Sequence, residues 1–271
     1  MTSRRTFLIV ATTAVLSVGG TFVVGEIVGD EAPITGADRD QIHSTTLDQD
    51  REYFVHLPEG YDADSATRYP VLYVLDGLSQ SGHTAETAAV LARVGMIPSL
   101  IVVGVPSVNV ETRNLDYTPP DMRLDSDAAP SPMGAADRFL TYHRSELIPR
   151  IERDYRTRRP RMLAGWSRGG LFVLYSVLAE PRLFDGRFAH SPALWRENDL
   201  IITQLEQSLP ADTAAPAFLY LSLGMEENEK MARAFGHALR VLEQVAPPNL
   251  RWRAYRSGGG NHESNPRLST A

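Results

Sequence analysis

The stretch Gly165-Trp166-Ser167-Arg168-Gly169 reads G-x-S-x-G, and its flanks give that spacing a mechanical meaning. Ahead of it, Arg161-Met162-Leu163-Ala164 is a short run suited to a buried strand. Behind it, residues 170–179 form an apolar segment of helical length. A strand that turns at once into a helix lifts the serine hydroxyl onto a sharp elbow above a parallel sheet. The glycines are expected because neighbouring chain passes close to such a turn, where a Cβ would clash. The pattern points to Ser167 as a nucleophile. An ordinary Gly-rich turn is the plainer reading of the same residues.

The rest of the chain alternates strands and helices. Residues 41–47 and 51–57 are two β-rich runs around Asp48-Gln49-Asp50, which predicts a hairpin. Residues 69–75 and 99–105 are continuous apolar runs, the mark of strands buried on both faces. Further strands are expected at 184–190, 217–224 and 250–256. Helices are expected at 85–94, 135–155, 197–209 and 228–245. Residues 106–132 read as one long irregular loop, a length that usually serves function. The fold class is therefore α/β: a mostly parallel central sheet with helices on both faces and an N-terminal antiparallel hairpin. Its chemistry belongs beyond the carboxyl ends of the strands.

The chain has 271 residues, enough for one such domain, expected over 33–271. A formal net charge of -6 with no basic block speaks against nucleic-acid binding. With no cysteine, disulfides, thiolate chemistry and Cys-ligated zinc are excluded. No metal cluster, dinucleotide fingerprint or phosphate loop is visible, so no cofactor is expected. Residues 1–32 form a separate unit. Arg4-Arg5 precede an apolar, small-residue run from Phe7 to about Val24, which reads as a twin-arginine export signal followed by a linker. Cleavage and retention as a membrane anchor both stay open. Either places the protein outside the cytoplasm, periplasmic, extracellular or anchored.

A serine hydroxyl needs a base, and in this kind of sheet the chain order is serine, acid, histidine. His262 lies in Ser257-Gly258-Gly259-Gly260-Asn261-His262-Glu263, the loop after the last strand, and fits that order. The acid is expected after the strand ending at Gly224, where Met225-Glu226-Glu227-Asn228 offers two carboxylates. Glu227 is preferred and Glu226 stays open, with Asp185 and Asp199 as fallbacks. Both glutamates would equally suit the start of the next helix. Two backbone N–H groups should form the oxyanion hole, one from Arg168 and one from Gly77 or Leu78. Arg113, Trp195 and Trp166 are candidates for binding a planar, anionic or aromatic substrate. Loop anchoring for Arg113 and core packing for Trp195 are the plainer alternatives.

These residues together resemble a known family. Residues 69–77, 113–120, Glu146-Leu147-Ile148-Pro149, Gly165 to Gly170, Ser191-Pro192-Ala193-Leu194-Trp195, 224–227 and Asn261-His262 resemble the putative-esterase branch of α/β-hydrolases. That branch includes siderophore (enterobactin-type) esterases, feruloyl esterases and S-formylglutathione hydrolase. The likeness spans about 50–266 and is greatest to the siderophore-esterase subgroup. It implies an α/β-hydrolase fold and a small-molecule ester substrate. It also implies catalysis by Ser167, His262 and Glu227, although some siderophore esterases work with a serine–histidine pair alone. Two departures stand out. Trp166 replaces the histidine often found before the serine, and the closing helix usual after the catalytic histidine is not evident before Ala271. The reaction expected is ester hydrolysis through an acyl-enzyme. Acyl transfer of the mycolyltransferase type and a non-catalytic binding module are the alternatives.

Overall fold

In a computed structural model, residues 36–269 are described, except 64, 126, 127, 129 and 210–216. The leader expected at residues 1–32 lies outside them. Among the described residues no helix is long and apolar enough to cross a membrane.

Strands β1 (Asp38–Ser44) and β2 (Gln49–His56) form the expected antiparallel hairpin, with Ser44 opposite Gln49. Six further strands follow: β3 (Tyr69–Leu75), β4 (Ile101–Val105), β5 (Thr157–Trp166), β6 (Gly186–His190), β7 (Ala217–Gly224) and β8 (Leu250–Ser257). They join one sheet in the order β1-β2-β4-β3-β5-β6-β7-β8, parallel from β4 to β8. The helices are α1 (Gly77–Arg93), α2 (Val110–Tyr117), α3 (Ala136–Tyr142), α4 (Ile148–Asp154), α5 (Arg168–Ala179), α6 (Leu200–Ser208), α7 (Glu229–Val245) and α8 (Asn265–Ser269). A π-helical turn, His143–Leu147, joins α3 to α4, so the helix expected at 135–155 is present with one bulge.

Alternation along the strands divides the apolar residues between two faces. Val71, Tyr73 and Leu75 of β3 enter the large core with Phe139, Phe172, Ile201 and Phe235 from the helices. Leu72 and Val74 face the other way into a smaller cluster with Ala164, Phe188 and Ala88 of α1.

Three elements differ from the sequence reading. Helix α1 begins at Gly77 rather than 85, because its first two turns carry small polar residues instead of an apolar stripe. Ser81 Oγ donates to Gly77 O at 2.6 Å and Thr84 Oγ1 to Gln80 O at 2.7 Å, so these hydroxyls are satisfied within the helix. Helix α2 occupies part of the expected 106–132 loop. Asn109 caps it by accepting from Thr112 N at 2.7 Å, and it buries Arg113, Asp116 and Tyr117. Charged residues on the inner face leave no periodicity to read. Arg51 meets Asp116 at 2.6 Å with both side chains almost wholly enclosed. Helix α8, finally, is a short helix directly after the His262 loop.

His143 sits wholly buried beside Phe139, with ring centroids 4.5 Å apart, and near Phe172 and Phe184. Its Nδ1–H donates to Phe139 O at 2.9 Å, and Nε2 has no hydrogen-bond partner. Burial pushes the imidazole pKa down to about 4. The folded state therefore favours the neutral ring. Its contribution is complete above the unfolded pKa near 6.5 and is lost as pH falls toward 4. Urea unfolding should show stability dropping over that window by up to about 3 kcal/mol for this group. His143→Leu should flatten the acid limb; an unchanged slope between pH 6.5 and 4 would contradict the assignment.

Candidate active site

Strand β5 ends at Trp166 and α5 starts at Arg168, leaving Ser167 alone at the turn with φ 57° and ψ −117°. A Cβ at Gly165 would overlap the Gly169 carbonyl, so the chain can double back this tightly only with glycine there. Three hydrogen bonds clamp the elbow. Ser167 N donates to His190 O at 3.0 Å, and Ser167 O accepts from Leu171 N at 3.1 Å and Ala193 N at 3.0 Å.

The loop after β8 brings His262 to this point. Its Nε2 lies 3.0 Å from Ser167 Oγ and its Nδ1 3.0 Å from Glu227 Oε2. An ionised carboxylate only accepts, so Nδ1 carries the proton and Nε2 accepts from the serine hydroxyl. The Glu227 carboxylate has no solvent exposure, while the imidazole is one-third exposed. Glu227 Oε1 accepts from Ser191 Oγ at 2.5 Å and from Gly224 N at 2.8 Å.

Of the two glutamates left open, Glu227 meets the histidine and Glu226 is exposed on the surface. The fallback acids are employed elsewhere. Asp185 accepts from Arg159 and from Arg161 N, and Asp199 pairs with Arg233 and His237.

On the other side of the serine, Asp76 sits at φ 54° and heads α1. Its carbonyl takes the N–H groups of both Ser79 and Gln80 at 3.0 Å. As at any helix start, the N–H groups of Gly77 and Leu78 have no acceptor within the helix. Arg168 N occupies the matching first-turn position of α5. Positive helix ends and first-turn N–H groups suit an anion.

Arg113 binds this region together. It grips Asp76 with Nε–Oδ1 at 2.7 Å and Nη2–Oδ2 at 2.9 Å, and Nη2 also reaches Trp166 O at 3.5 Å. Arg113, a candidate for meeting substrate, has its guanidinium buried and ties the start of α1 to the elbow. The Nε1 of Trp166, another such candidate, donates to His262 O at 2.7 Å and its ring lies 5.0 Å from the imidazole, so the indole holds the histidine loop. Trp195 packs half-buried on the core, with Lys230 Nζ 5.8 Å from its ring centre. Arg168 reaches Thr118 Oγ1 and Leu124 O, and Arg196 reaches Arg123 O and Leu124 O, which fastens the loop after α2 beside the site. Ser191, Arg196 and Asn265 were missed by sequence reasoning; only the Ser-Pro-x-Leu-Trp segment hinted at the first.

A cavity of about 330 Å³ lies on the opposite face of the sheet, lined among others by Leu72, Met162, Phe188, His83 and His190. It touches Gly165 and Trp166 but none of Ser167, Glu227 and His262. Among the described residues no group of three or more histidines and carboxylates is arranged to hold a metal ion.

The Putative esterase family model matches residues 44–266. The chain belongs to that family. It is 27% identical over 218 residues to the ferri-bacillibactin esterase of Bacillus subtilis, covering 74% of this chain and 75% of that protein. It is also 27% identical to the apo-salmochelin esterase of Escherichia coli O6:H1, across 74% of this chain and 64% of that one. An IroE-like serine hydrolase from Shewanella oneidensis superposes with a TM-score of 0.78 at 28% identity, covering 86% of this chain and 77% of its own. The chain is thus an esterase-type hydrolase with the α/β fold of that family.

Gly224 closes β7 where a Cβ would overlap the Gly260 carbonyl, so the acid and histidine loops approach this closely only because residue 224 carries no side chain. Gly224→Ala should push the loops apart by about 1 Å and lower kcat/KM roughly 100-fold while the protein stays folded. Steady-state ester hydrolysis beside a thermal melt checks this, and full activity would contradict it.

Proposed function

We propose that the protein is a serine esterase acting through an acyl-enzyme on Ser167. The observation that carries the reading is the unbroken chain from Ser167 Oγ through His262 to Glu227, mounted at the head of α5. Ser167 Oγ attacks the ester carbonyl carbon while His262 Nε2 takes the hydroxyl proton. The oxyanion that forms is met by the N–H of Arg168 and that of Leu78 or Gly77. Collapse breaks the ester C–O bond, and the proton on His262 passes to the departing alcohol. Water, deprotonated by the same imidazole, then releases the acid and restores the serine. Glu227 steadies the imidazolium at each stage.

Relatives named as ferri-bacillibactin and apo-salmochelin esterases favour a siderophore-type ester. Trp195 under Lys230 supplies an aromatic surface and a positive charge suited to planar, electron-rich rings. The twin-arginine sequence and apolar run ahead of the described residues favour export of the folded enzyme.

Ser167→Ala should lower kcat on p-nitrophenyl esters by about 10⁴-fold or more with little change in fold. Undiminished turnover in that variant would overturn the mechanism. In a panel of catecholate lactones, feruloyl esters, simple acyl esters and thioesters, the highest kcat/KM is expected for the catecholate lactone.

A further inference from the structure

Glu227 uses one carboxylate oxygen for His262 and turns the other toward Ser191 Oγ, 2.5 Å away. Ser191 is fully enclosed and stands at φ 44°, a left-handed setting that costs a residue with a Cβ about 1 kcal/mol or more. Its own N–H donates to Ser222 O at 2.8 Å, which fixes the backbone in that setting. A hydroxyl has a single proton, and its direction here is decided by Asn265. The Asn265 Nδ2 group donates to Ser191 Oγ at 2.8 Å and to Ser222 Oγ at 3.0 Å, so both of its protons are spent. Asn265 Oδ1 accepts from Ser257 Oγ at 2.6 Å, which fixes which way the amide faces. With its acceptor side filled by an N–H donor, the Ser191 hydroxyl has only Glu227 to donate to.

We propose, resting on the acyl-enzyme reading above, that Ser191 is a positioning residue for Glu227, with Asn265 as the group that aims its proton. The acid side chain has a free rotation about its terminal bond, and a carboxylate bound only by His262 and Gly224 N could turn either oxygen out of line. The Ser191 hydroxyl pins the oxygen that His262 does not use. The imidazole then meets one fixed acceptor, and its Nε2 stays directed at Ser167. Asn265 opens α8, three residues after His262, so the element that follows the base also sets the support of the acid. The wholly buried carboxylate gains three hydrogen-bond donors for the solvent it has lost.

A glycine at 191 separates this role from a structural one. Ser191→Gly relieves the left-handed backbone, which offsets part of the cost of leaving Asn265 Nδ2 and Glu227 Oε1 each one partner short, so the protein should stay folded with a modestly lower melting temperature. Its kcat on a p-nitrophenyl ester should nevertheless fall about 10- to 100-fold with KM unchanged, the effect of losing one hydrogen bond to a charged group. In a Glu227→Ala background the same change should cost nothing further, since the group it positions is gone. Full activity in Ser191→Gly, or an equal loss in both backgrounds, overturns the proposal. If Glu227→Ala itself hydrolyses at the wild-type rate, the role of the acid fails along with it. If Glu227→Ala is impaired and Ser191→Gly is not, the proposal for Ser191 fails alone.

Discussion

The backbone at Ser167 is bent into a conformation that no residue with a side chain adopts without cost, and the site is built around keeping it there. At φ 57° and ψ −117° the turn is sustained by β6 on one side, by the 192–194 segment on another and by close packing at Gly165. Strain of this kind persists only where the surroundings over-determine it. Here the benefit is direction: the hydroxyl leaves the sheet at the one point where the loops after β3, β7 and β8 all converge.

Charge buried inside the fold does the fastening. Asp76, Arg113 and the Trp166 carbonyl form one cluster that joins the start of α1 to the elbow, so two of the candidate oxyanion donors are held in a common frame. Removing one partner from so enclosed a pair leaves an uncompensated charge, which is why such pairs act as fixed rivets rather than adjustable contacts. The second buried pair, Arg51 with Asp116, anchors the same helix α2 to the hairpin strand β2. Helix α2 is thus held from both sides by ions rather than by an apolar stripe.

That choice of fastening explains what could be read from the chain and what could not. The elbow, the buried strands and the hairpin rest on apolar runs and glycine spacing, and β7 has the bounds expected for it, Ala217–Gly224. His262 followed from chain order alone. Glu227 was preferred but Glu226 stayed open from the chain; the turn after β7 buries the carboxylate of the first and exposes the second. Helix α2 and the start of α1 escaped notice because their inward residues are Arg, Asp, Ser and Thr: the ions of α2 find partners far away in sequence, and the hydroxyls of α1 bond back to carbonyls of their own helix. For the same reason the partners of Arg113 and Trp166 were not legible: Asp76 and the His262 carbonyl lie far from them in sequence.

The residues that meet at Ser167 come from three separate crossovers, with His262 ninety-five positions downstream of the serine. Strands β7 and β8 are joined in one parallel register from Ala217 with Leu250 to Gly224 with Ser257. A slip of one residue there would displace the imidazole by about 3.3 Å, more than the length of either of its hydrogen bonds. Parallel pairing over such separations is slow to form, since the entropy of closing long loops is spent before any contact returns it. During refolding, helical content should therefore rise well ahead of hydrolytic competence, and reactivity at the serine becomes a late clock for docking of the sheet's final edge.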